Sequence, residues 1–354
     1  MTDSIKIAAD NLRTFASDLF QAAGLSSDDA DIVSDSLVLS NLCGHNSHGV
    51  MRTVEYVNQM KQGELRGDAE LNVLQETDSL IVADAGFGFG QIQMRKLIER
   101  LSLKAQQQGI ACGTLKSCGH VGRLGEWVER LAEAGLAGFV TVNDNGVLKC
   151  VAPPGGVEPR ISTNPIAVGI PTENEPLVLD ISTSAVANGK IRVADLAGEQ
   201  CPAGWLQDSQ GNPTGDPKVR LQEPYGSILP FGGEQGYKAF GLGLLFDILV
   251  GGLSGGFCPP AADDAPSTNN VLLVVWDPKK FAGQNHFLAE AEKLIAYVRD
   301  TKLKPGVEKI RLPGDRSLNS KQRGEQQGVP LDSGTWQSLV ALAEKLGVNS
   351  PEIL

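Results

Sequence analysis

Apolar residues at helical spacing fill the first part of the chain. Leu12, Phe15 and Leu19 recur every three or four residues, which predicts a helix with one buried face. Ser26, followed three residues later by Asp29, resembles the capping box that begins a second helix. With a third helix beginning near residue 47, these patterns predict a helical unit over residues 1–72.

From residue 79 onward, short apolar runs alternate with helical segments. The runs that predict strands lie at 79–85, 110–115, 137–143, 166–170, 177–181 and 271–276. Strands mixed with helices indicate an α/β fold. We expect an α/β domain over residues 73–316, and helices over 317–354 that join the N-terminal unit to complete an all-helical domain.

The turn Gly86-Phe-Gly-Phe-Gly90 lies between a predicted strand and a predicted helix, as a dinucleotide-binding turn would. Its spacing is GxGxG and not GxGxxG, and Lys116 ends the next strand where a ribose-binding acid should stand. The pattern therefore favours a plain tight turn over a Rossmann fold.

A long segment over residues 197–236 is rich in Gly, Pro, Asp and Gln and has little periodicity. Loops of this length are uncommon unless they are functional or mobile. We expect a functional loop or an arm that contacts another subunit, and a disordered surface loop is the alternative.

Charge and composition limit the classes of partner. The formal net charge of −11 argues against nucleic acid and against an anionic membrane surface, both of which need basic patches. No secretory signal begins the chain, and the longest apolar stretch, 240–253, contains glycines and Asp247 and is predicted to be too short to span a bilayer. The six cysteines form no CxxC pair. These features predict a cytoplasmic protein with reduced thiols.

The stretch from Gly44 to Tyr56 concentrates the candidate chemistry. Ser47 is predicted to cap a helix on which His48, Arg52 and Tyr56 fall at i, i+4 and i+8, on one face. An imidazole, a guanidinium that can hold a carboxylate at two points, and a phenol together suit the reduction of a 2-oxo acid. The alternative is an ordinary set of solvated or paired side chains.

Two other functions are compatible with these residues. His45 and His48, three apart, could join His120 as metal ligands of a hydrolase, although no carboxylate accompanies them at useful spacing, so we predict no metal site. The chain could also be a catalytically silent binding protein of the same fold.

Six stretches, taken in order, resemble the malate/L-lactate dehydrogenase family over about residues 8–346. They are Ser47-His48-Gly49 with Arg52; Gly119-His-Val-Gly-Arg-Leu-Gly125; Ser162-Thr-Asn-Pro-Ile-Ala-Val168; Asp180-Ile-Ser-Thr-Ser184; Gly236-Tyr-Lys-Ala-Phe-Gly-Leu242; and Leu312-Pro-Gly-Asp315. The resemblance implies a mixed-sheet, non-Rossmann cofactor domain, NAD or NADP as cofactor, and small 2-oxo, 2-hydroxy or cyclic imino acids as substrates.

The resemblance also implies roles for individual residues. His48 would donate the proton, with Ser47 and Asp180 relaying or orienting it, and His120 is the rival proton donor. Arg52 would hold the substrate carboxylate, with Tyr56 also on the substrate side. The residues expected to contact the cofactor are His120, Asp144, Ile181, Ser182, Thr183, Ser184, Lys238, Gly314 and Asp315.

The sequence departs from the family pattern at Ala239, where a glycine is common after the lysine. In this family two subunits wrap around each other and contribute to each other's sites. The resemblance therefore implies a homodimer, in which segment 197–236 is a candidate arm.

Overall fold

The computed structural model describes residues 5–354, with residues 196 and 197 as backbone only. The helices are α1 (Ala9–Ala22), α2 (Ser27–Leu42), α3 (Arg52–Gln62), α4 (Gly90–Gln108), α5 (Leu124–Glu133), α6 (Asn188–Ala197), α7 (Gly236–Ser254), α8 (Gln284–Arg299), α9 (Asp315–Gln327) and α10 (Ser333–Leu346). The strands are β1 (Ile5–Ile7), β2 (Asn72–Glu76), β3 (Leu80–Asp84), β4 (Ile110–Cys118), β5 (Ala137–Asn143), β6 (Ile166–Ile170), β7 (Leu177–Ile181), β8 (Leu206–Gln207), β9 (Pro213–Thr214), β10 (Ser227–Ile228), β11 (Asn269–Trp276) and β12 (Val329–Leu331).

The N-terminal helices and the C-terminal end of the chain share one apolar core. Strand β1 pairs antiparallel with β12, with Ile5 opposite Leu331. The rings of Phe15 on α1 and Trp336 on α10 lie 6.0 Å apart. Helix α10 begins at a cap in which Asp332 accepts the backbone N–H of Thr335, and α2 begins at the predicted Ser26 cap.

The central sheet has seven strands in the order β2-β3-β4-β11-β5-β6-β7. Only β3 and β4 are parallel neighbours, and every other pair is antiparallel. A mixed sheet with this order is not the parallel sheet of a Rossmann fold. The predicted fold class, α/β with a mixed sheet, is confirmed.

Helices cover the central sheet on two faces. Val140 and Val142 of β5 belong to the core formed with α4 and α5. Successive side chains of a strand point to opposite faces, and the ring of Phe139 lies 5.5 Å from that of Phe246 on α7. Helix α7 therefore packs on the face opposite to α4 and α5.

The glycine turn at 86–90 brings two parts of the protein together. A Cβ on Gly90 would lie 2.4 Å from the carbonyl oxygen of His120, and one on Gly88 would lie 2.5 Å from the amide of Gln93. The positions must be glycine because protein backbone and side chains fill the space beside them. The turn lets the segment with His120 approach the start of α4.

Segment 197–236 is folded, so the alternative of a disordered surface loop is wrong. It contains the three-stranded sheet β10-β8-β9. Leu206 and Ile228 pack with Cys150 and Ile161 in a core of their own. The low periodicity of the sequence reflects strands of two residues each, which are too short to leave an alternating pattern. A role as an exchanging arm stays a prediction.

Helix α7 is longer than the apolar stretch 240–253 identified in the sequence. The helical run Gly233–Ser254 is long and apolar enough to cross a membrane by length and composition alone, and 33% of its most apolar window is buried. The interruption expected at Asp247 does not end the helix. Its carboxylate is buried and accepts hydrogen bonds from the amides of Asn143 and Asn164, so the helix is fixed to the sheet.

Candidate active site

The segment between α2 and α3 carries Ser47 and His48, and it differs from the predicted helix. Residues Asn46–His48 form a single 3₁₀ turn, and α3 begins only at Arg52 without a side-chain cap. The predicted Ser47 cap and the continuous helix are therefore wrong. Asn41 of α2 holds the segment instead, because its Oδ1 accepts the N–H of Val50 at 2.8 Å. The glycine between His48 and Val50 is needed, since a Cβ there would collide with the Asn41 side chain.

Ser47 and Arg52 both act on the surroundings of His48. The hydroxyl of Ser47 lies 3.0 Å from Nδ1 of His48. The Nε–H of Arg52 donates to the carbonyl oxygen of Ser47 at 2.8 Å, and its Nη1 donates to Glu55 at 2.7 Å. These bonds orient the Arg52 guanidinium beside the imidazole, and they leave Nη2 for another acceptor.

Tyr56 and His120 form the second part of the cluster. The Tyr56 hydroxyl lies 2.6 Å from Nδ1 of His120, and Nε2 of Gln91 donates to the same hydroxyl at 3.3 Å. Burial raises the pKa of Tyr56, so the phenol keeps its proton. With the hydroxyl accepting from Gln91, its proton is free to be donated to Nδ1 of His120, and in that arrangement the neutral ring carries its hydrogen on Nε2.

The rings of His48 and His120 are stacked, with centroids 5.4 Å apart and planes inclined by 24°. Burial, followed by the charge of Arg52, lowers the pKa of His48 to about 3. The same causes lower the pKa of His120 well below its usual value. Both imidazoles are therefore neutral at physiological pH.

Asp180 raises the pKa of His45 and has no such effect on His48. Its Oδ2 accepts the backbone N–H of Gly125 at 2.7 Å. Burial lowers the pKa of His45, and Asp180 opposes that shift while Arg123, Lys190 and Arg316 add to it. The cleft is thus bordered by several cations in addition to Arg52.

Apart from His120, the predicted cofactor residues lie in four places. Asp144 follows β5, and burial raises its pKa to about 7. The hydroxyls of Thr183 and Ser184 are buried and donate to backbone carbonyls of their own region. Lys238 is exposed in the first turn of α7. Asp315 begins α9 next to Gly314, and its carboxylate accepts from the N–H of Leu312 and from Arg299.

These residues fit a nicotinamide dinucleotide. Oδ1 of Asp144 is buried and lacks a hydrogen-bond partner among residues 5–354, so it is available to an amide of a ligand. With a pKa near neutrality, this carboxyl group can donate or accept. Lys238 offers an exposed ammonium to a phosphate.

Three residues that contribute to the cleft were not singled out from the sequence. They are Gln91, Arg123 and Lys190. Arg123 lies within the quoted Gly119–Gly125 motif, and Gln91 directly follows the glycine turn, so both had a positional signal. Lys190 lies in α6, which had no periodic apolar pattern to predict it.

The histidines do not suggest a metal centre. Within residues 5–354, no group of three or more His, Cys, Asp or Glu side chains is arranged to hold a metal ion. The rings of His48 and His120 face each other, and each Nδ1 is engaged by a hydroxyl.

Comparisons with known proteins agree with the architecture and the cleft. Residues 7–340 match the family model of malate/L-lactate dehydrogenase. The chain is 34% identical to hydroxycarboxylate dehydrogenase B of Escherichia coli K12, over 98% of this chain and 96% of that enzyme. It is 32% identical to L-lactate dehydrogenase of Cupriavidus necator, over 98% of this chain and 99% of that enzyme. The structure of malate dehydrogenase from Pyrococcus horikoshii superposes with a TM-score of 0.89 at 27% identity, covering 99% of this chain and 98% of that one.

The chain belongs to the malate/L-lactate dehydrogenase family. It is an NAD(P)-dependent oxidoreductase that acts on 2-hydroxy acids and the corresponding 2-oxo acids. The comparisons give no support to a metal-dependent hydrolase.

Proposed function

We propose that the cleft between α3 and the His120 segment interconverts a small 2-oxo acid and its 2-hydroxy acid, with His48 as the proton donor and acceptor and His120 as a neutral hydrogen-bond donor. The observation that carries this proposal is the stacked pair of imidazoles beside Arg52, in which each Nδ1 has its own hydroxyl partner. When bound, the nicotinamide cofactor supplies or accepts the hydride.

The two hydroxyl partners support different roles for the two rings. Ser47 can donate to Nδ1 of a neutral His48 or accept from a protonated one, because a hydroxyl serves both purposes. The Tyr56 hydroxyl accepts from Gln91, and we assign its proton to Nδ1 of His120. His48 can therefore change protonation state with no new partner, whereas a proton on Nδ1 of His120 would displace that of Tyr56.

Arg52 links substrate binding to proton affinity. Its positive charge lowers the pKa of both imidazoles. A substrate carboxylate held by the guanidinium offsets that charge, so binding of the acid makes protonation of His48 more favourable. In reduction, His48 then gives a proton to the developing alkoxide from Nε2, and in oxidation the neutral ring removes the hydroxyl proton. His120 donates Nε2–H to the same oxygen.

Cofactor binding is assigned to the residues around the cleft. Asp144 would meet an amide of the ligand, Lys238 a phosphate, and the backbone of 181–184 and 314–315 the remaining contacts. Asp180 would act through His45 and Gly125 and not directly through His48.

We further propose a cytoplasmic homodimer in which α7 meets a second copy of the chain. Large apolar side chains of α7 are about half exposed, among them Leu245, Ile248 and Leu249. Gly241 and Gly252 have open space where a Cβ would lie, which lets another helix approach closely. A helix of this kind on the surface of one subunit suits an obligate interface.

The test is a turnover assay without added metal. Purified protein is mixed with NADH or NADPH and a panel of 2-oxo acids, and the loss of reduced cofactor is followed. His48→Gln should abolish turnover, and His120→Gln should weaken it while leaving a pH-dependent rate. Wild-type turnover in His48→Gln would remove that residue from the proposed role.

A further inference from the structure

Basic residues are concentrated near the end of an otherwise acidic chain. Residues 302–323 contain seven Lys or Arg and two Asp or Glu, within a sequence of net charge −11. Four of these cations line a cavity of about 540 Å³ between the segment before α9 and the outer face of α9; they are Lys309, Arg311, Arg316 and Arg323. Arg316 and Arg323 are seven residues apart, so they project from the same side of the helix. A cluster of like charges in one cavity is unfavourable without an anion.

The four cations lack partners of opposite charge. Within the described chain, none of them forms an ion pair with a carboxylate. The carboxylate that lines the cavity, Asp315, is occupied: Oδ1 is held by Arg299 and Oδ2 by the N–H of Leu312. The cavity thus presents free guanidinium groups and no free acid.

The cavity borders the cleft. Arg316 is close enough to His45 to lower the pKa of that imidazole. The turn before α9 lies against β7, since a Cβ on Gly314 would be 3.3 Å from the backbone nitrogen of Val178. Both observations place the start of α9, and with it Arg316, on the side of the cleft that carries His45 and β7.

We propose that this cation cavity binds the 2′-phosphate of NADP, so that the chain prefers NADP over NAD. The proposal rests on the proposed function, since it takes the bound dinucleotide from it. Recognition of NAD commonly uses an acid on the ribose 2′-hydroxyl, whereas an arginine accommodates the 2′-phosphate. The cavity has the second chemistry, because guanidinium forks match a phosphomonoester dianion and the carboxylate present is already bound.

The test compares two fragments of the cofactor that differ only in the 2′-phosphate. Adenosine 2′,5′-bisphosphate and adenosine 5′-monophosphate are titrated into the wild-type protein by calorimetry. The bisphosphate should bind more tightly by about tenfold to a hundredfold, the range expected for charge-assisted hydrogen bonds. The advantage should shrink as salt is added.

Three variants locate the effect. Arg316→Gln and Arg323→Gln should each remove most of the advantage of the bisphosphate, and should lower kcat/KM with NADPH while leaving NADH within about twofold. Lys321→Gln is the matched control, because it removes a cation from the same helix outside the cavity lining. Thermal unfolding checks that each substitution leaves the fold intact.

The outcomes separate this site from the proposed function. Equal binding of the two nucleotides by the wild type, or an advantage retained in both arginine variants, overturns the cavity assignment even if the enzyme turns over NADH. If Lys321→Gln loses as much of the advantage as the arginine variants do, the cavity assignment is also overturned, because the effect would then come from the net charge of the protein and not from the cavity. Absence of turnover with every 2-oxo acid rejects the proposed function, and the fragment titration still decides the phosphate site.

Discussion

The hydroxyl of Tyr56 lies 2.6 Å from Nδ1 of His120, in a position that is 1% exposed. This contact joins α3 of the helical layer to the segment beside the glycine turn, and Gln91 of α4 fixes its direction. Tyr56, which was expected on the substrate side, thus also determines which nitrogen of His120 faces the cleft.

Tyr56→Phe should lower kcat/KM by roughly 1–3 kcal/mol, because His120 loses the bond that fixes its tautomer. The Tyr56 hydroxyl, by donating to Nδ1, favours the neutral form of His120. Without it the pKa of His120 should rise, and the acidic limb of the pH–rate profile should move to higher pH. Pre-steady-state and steady-state rates measured across pH test this. Tyr237→Phe, at an exposed tyrosine of α7, should leave the profile unchanged. A uniform loss of rate with no movement of the limb would indicate a merely structural role for the hydroxyl.

Arg52→Lys should raise KM for the acid substrate strongly and lower turnover. A lysine offers a point charge in place of a fork and cannot keep both the Ser47 carbonyl and a substrate carboxylate in line. The expected loss in kcat/KM is on the order of 2–4 kcal/mol. Arg66→Lys, at an exposed arginine paired with Asp68, is the control. Kinetics equal to wild type would exclude Arg52 from substrate binding.

The buried imidazoles predict loss of stability in acid. The pKa of His48 is about 3 in the folded chain and 6.5 as the reference value, so the unfolded state binds more protons between these limits. The contribution of His48 to the free energy of unfolding is fully present above about pH 7 and decreases as the pH falls toward 3. At pH 5 the loss from His48 alone is about 2 kcal/mol relative to pH 7.5. Urea unfolding at both pH values tests this. His48→Gln should reduce the difference in unfolding free energy between the two pH values. The control His286→Gln, on the exposed face of α8, should leave that difference unchanged.

Asp144 should show the opposite dependence. Burial raises its pKa to about 7, so the folded state binds more protons than the unfolded state between about pH 4 and 7, and stability falls as pH rises through that range. Asp144→Asn removes this cost and keeps an oxygen for the N–H of Leu148. The variant should be more stable than wild type at pH 8, by up to about 4 kcal/mol, and similar at pH 4. Equal changes in stability at both pH values would rule out titration of Asp144 as the cause. Asp263→Asn, at an exposed aspartate, is the control.

Leu245→Asp should convert the proposed dimer into monomers, because it places a charge in the apolar face of α7. Sedimentation of the purified variant measures the change. Leu103→Asp on α4 is the matched control, since Leu103 is 57% exposed and Leu245 is 59% exposed. A wild-type monomer, or equal effects of both substitutions, would reject α7 as the interface. Mixing His48→Ala with Lys238→Ala chains and refolding them together then tests whether one site draws on two chains.

The regular elements were predictable where local patterns were strong. Strand β5 and the start of α2 were found within a residue, because apolar alternation and a capping residue act over a few positions. Within the helices expected over 317–354, the bounds of α9 could not be predicted because its sequence is almost wholly polar. Strands β8 to β10 were missed because two residues are too few to show a period. The glycine turn could not be interpreted from its own residues, since its purpose depends on a contact with His120, thirty positions away.

The site was predictable in its residue types and not in its hydrogen bonds. His48, Arg52, Tyr56 and His120 lie together as their motifs implied, but the pairing of Tyr56 with His120 joins residues 64 positions apart. The same limit applies to Asp180, which the resemblance paired with His48 but which acts on the pKa of His45. Which charged group meets which ring is decided by the packing of α4 and the sheet, and a single sequence does not display that packing.

The pairing of β1 with β12 has a consequence for the order in which the protein is made. Ile5 and Ile7 leave the ribosome more than 300 residues before their partners Leu331 and Val329. The helices that carry Ser47, His48 and Arg52 share a core with Trp336 and Leu339, so this layer is incomplete during most of synthesis. The nascent chain therefore exposes these apolar helices while the central sheet is forming, and the core around the reactive cluster is completed only after Trp336 and Leu339 have been made.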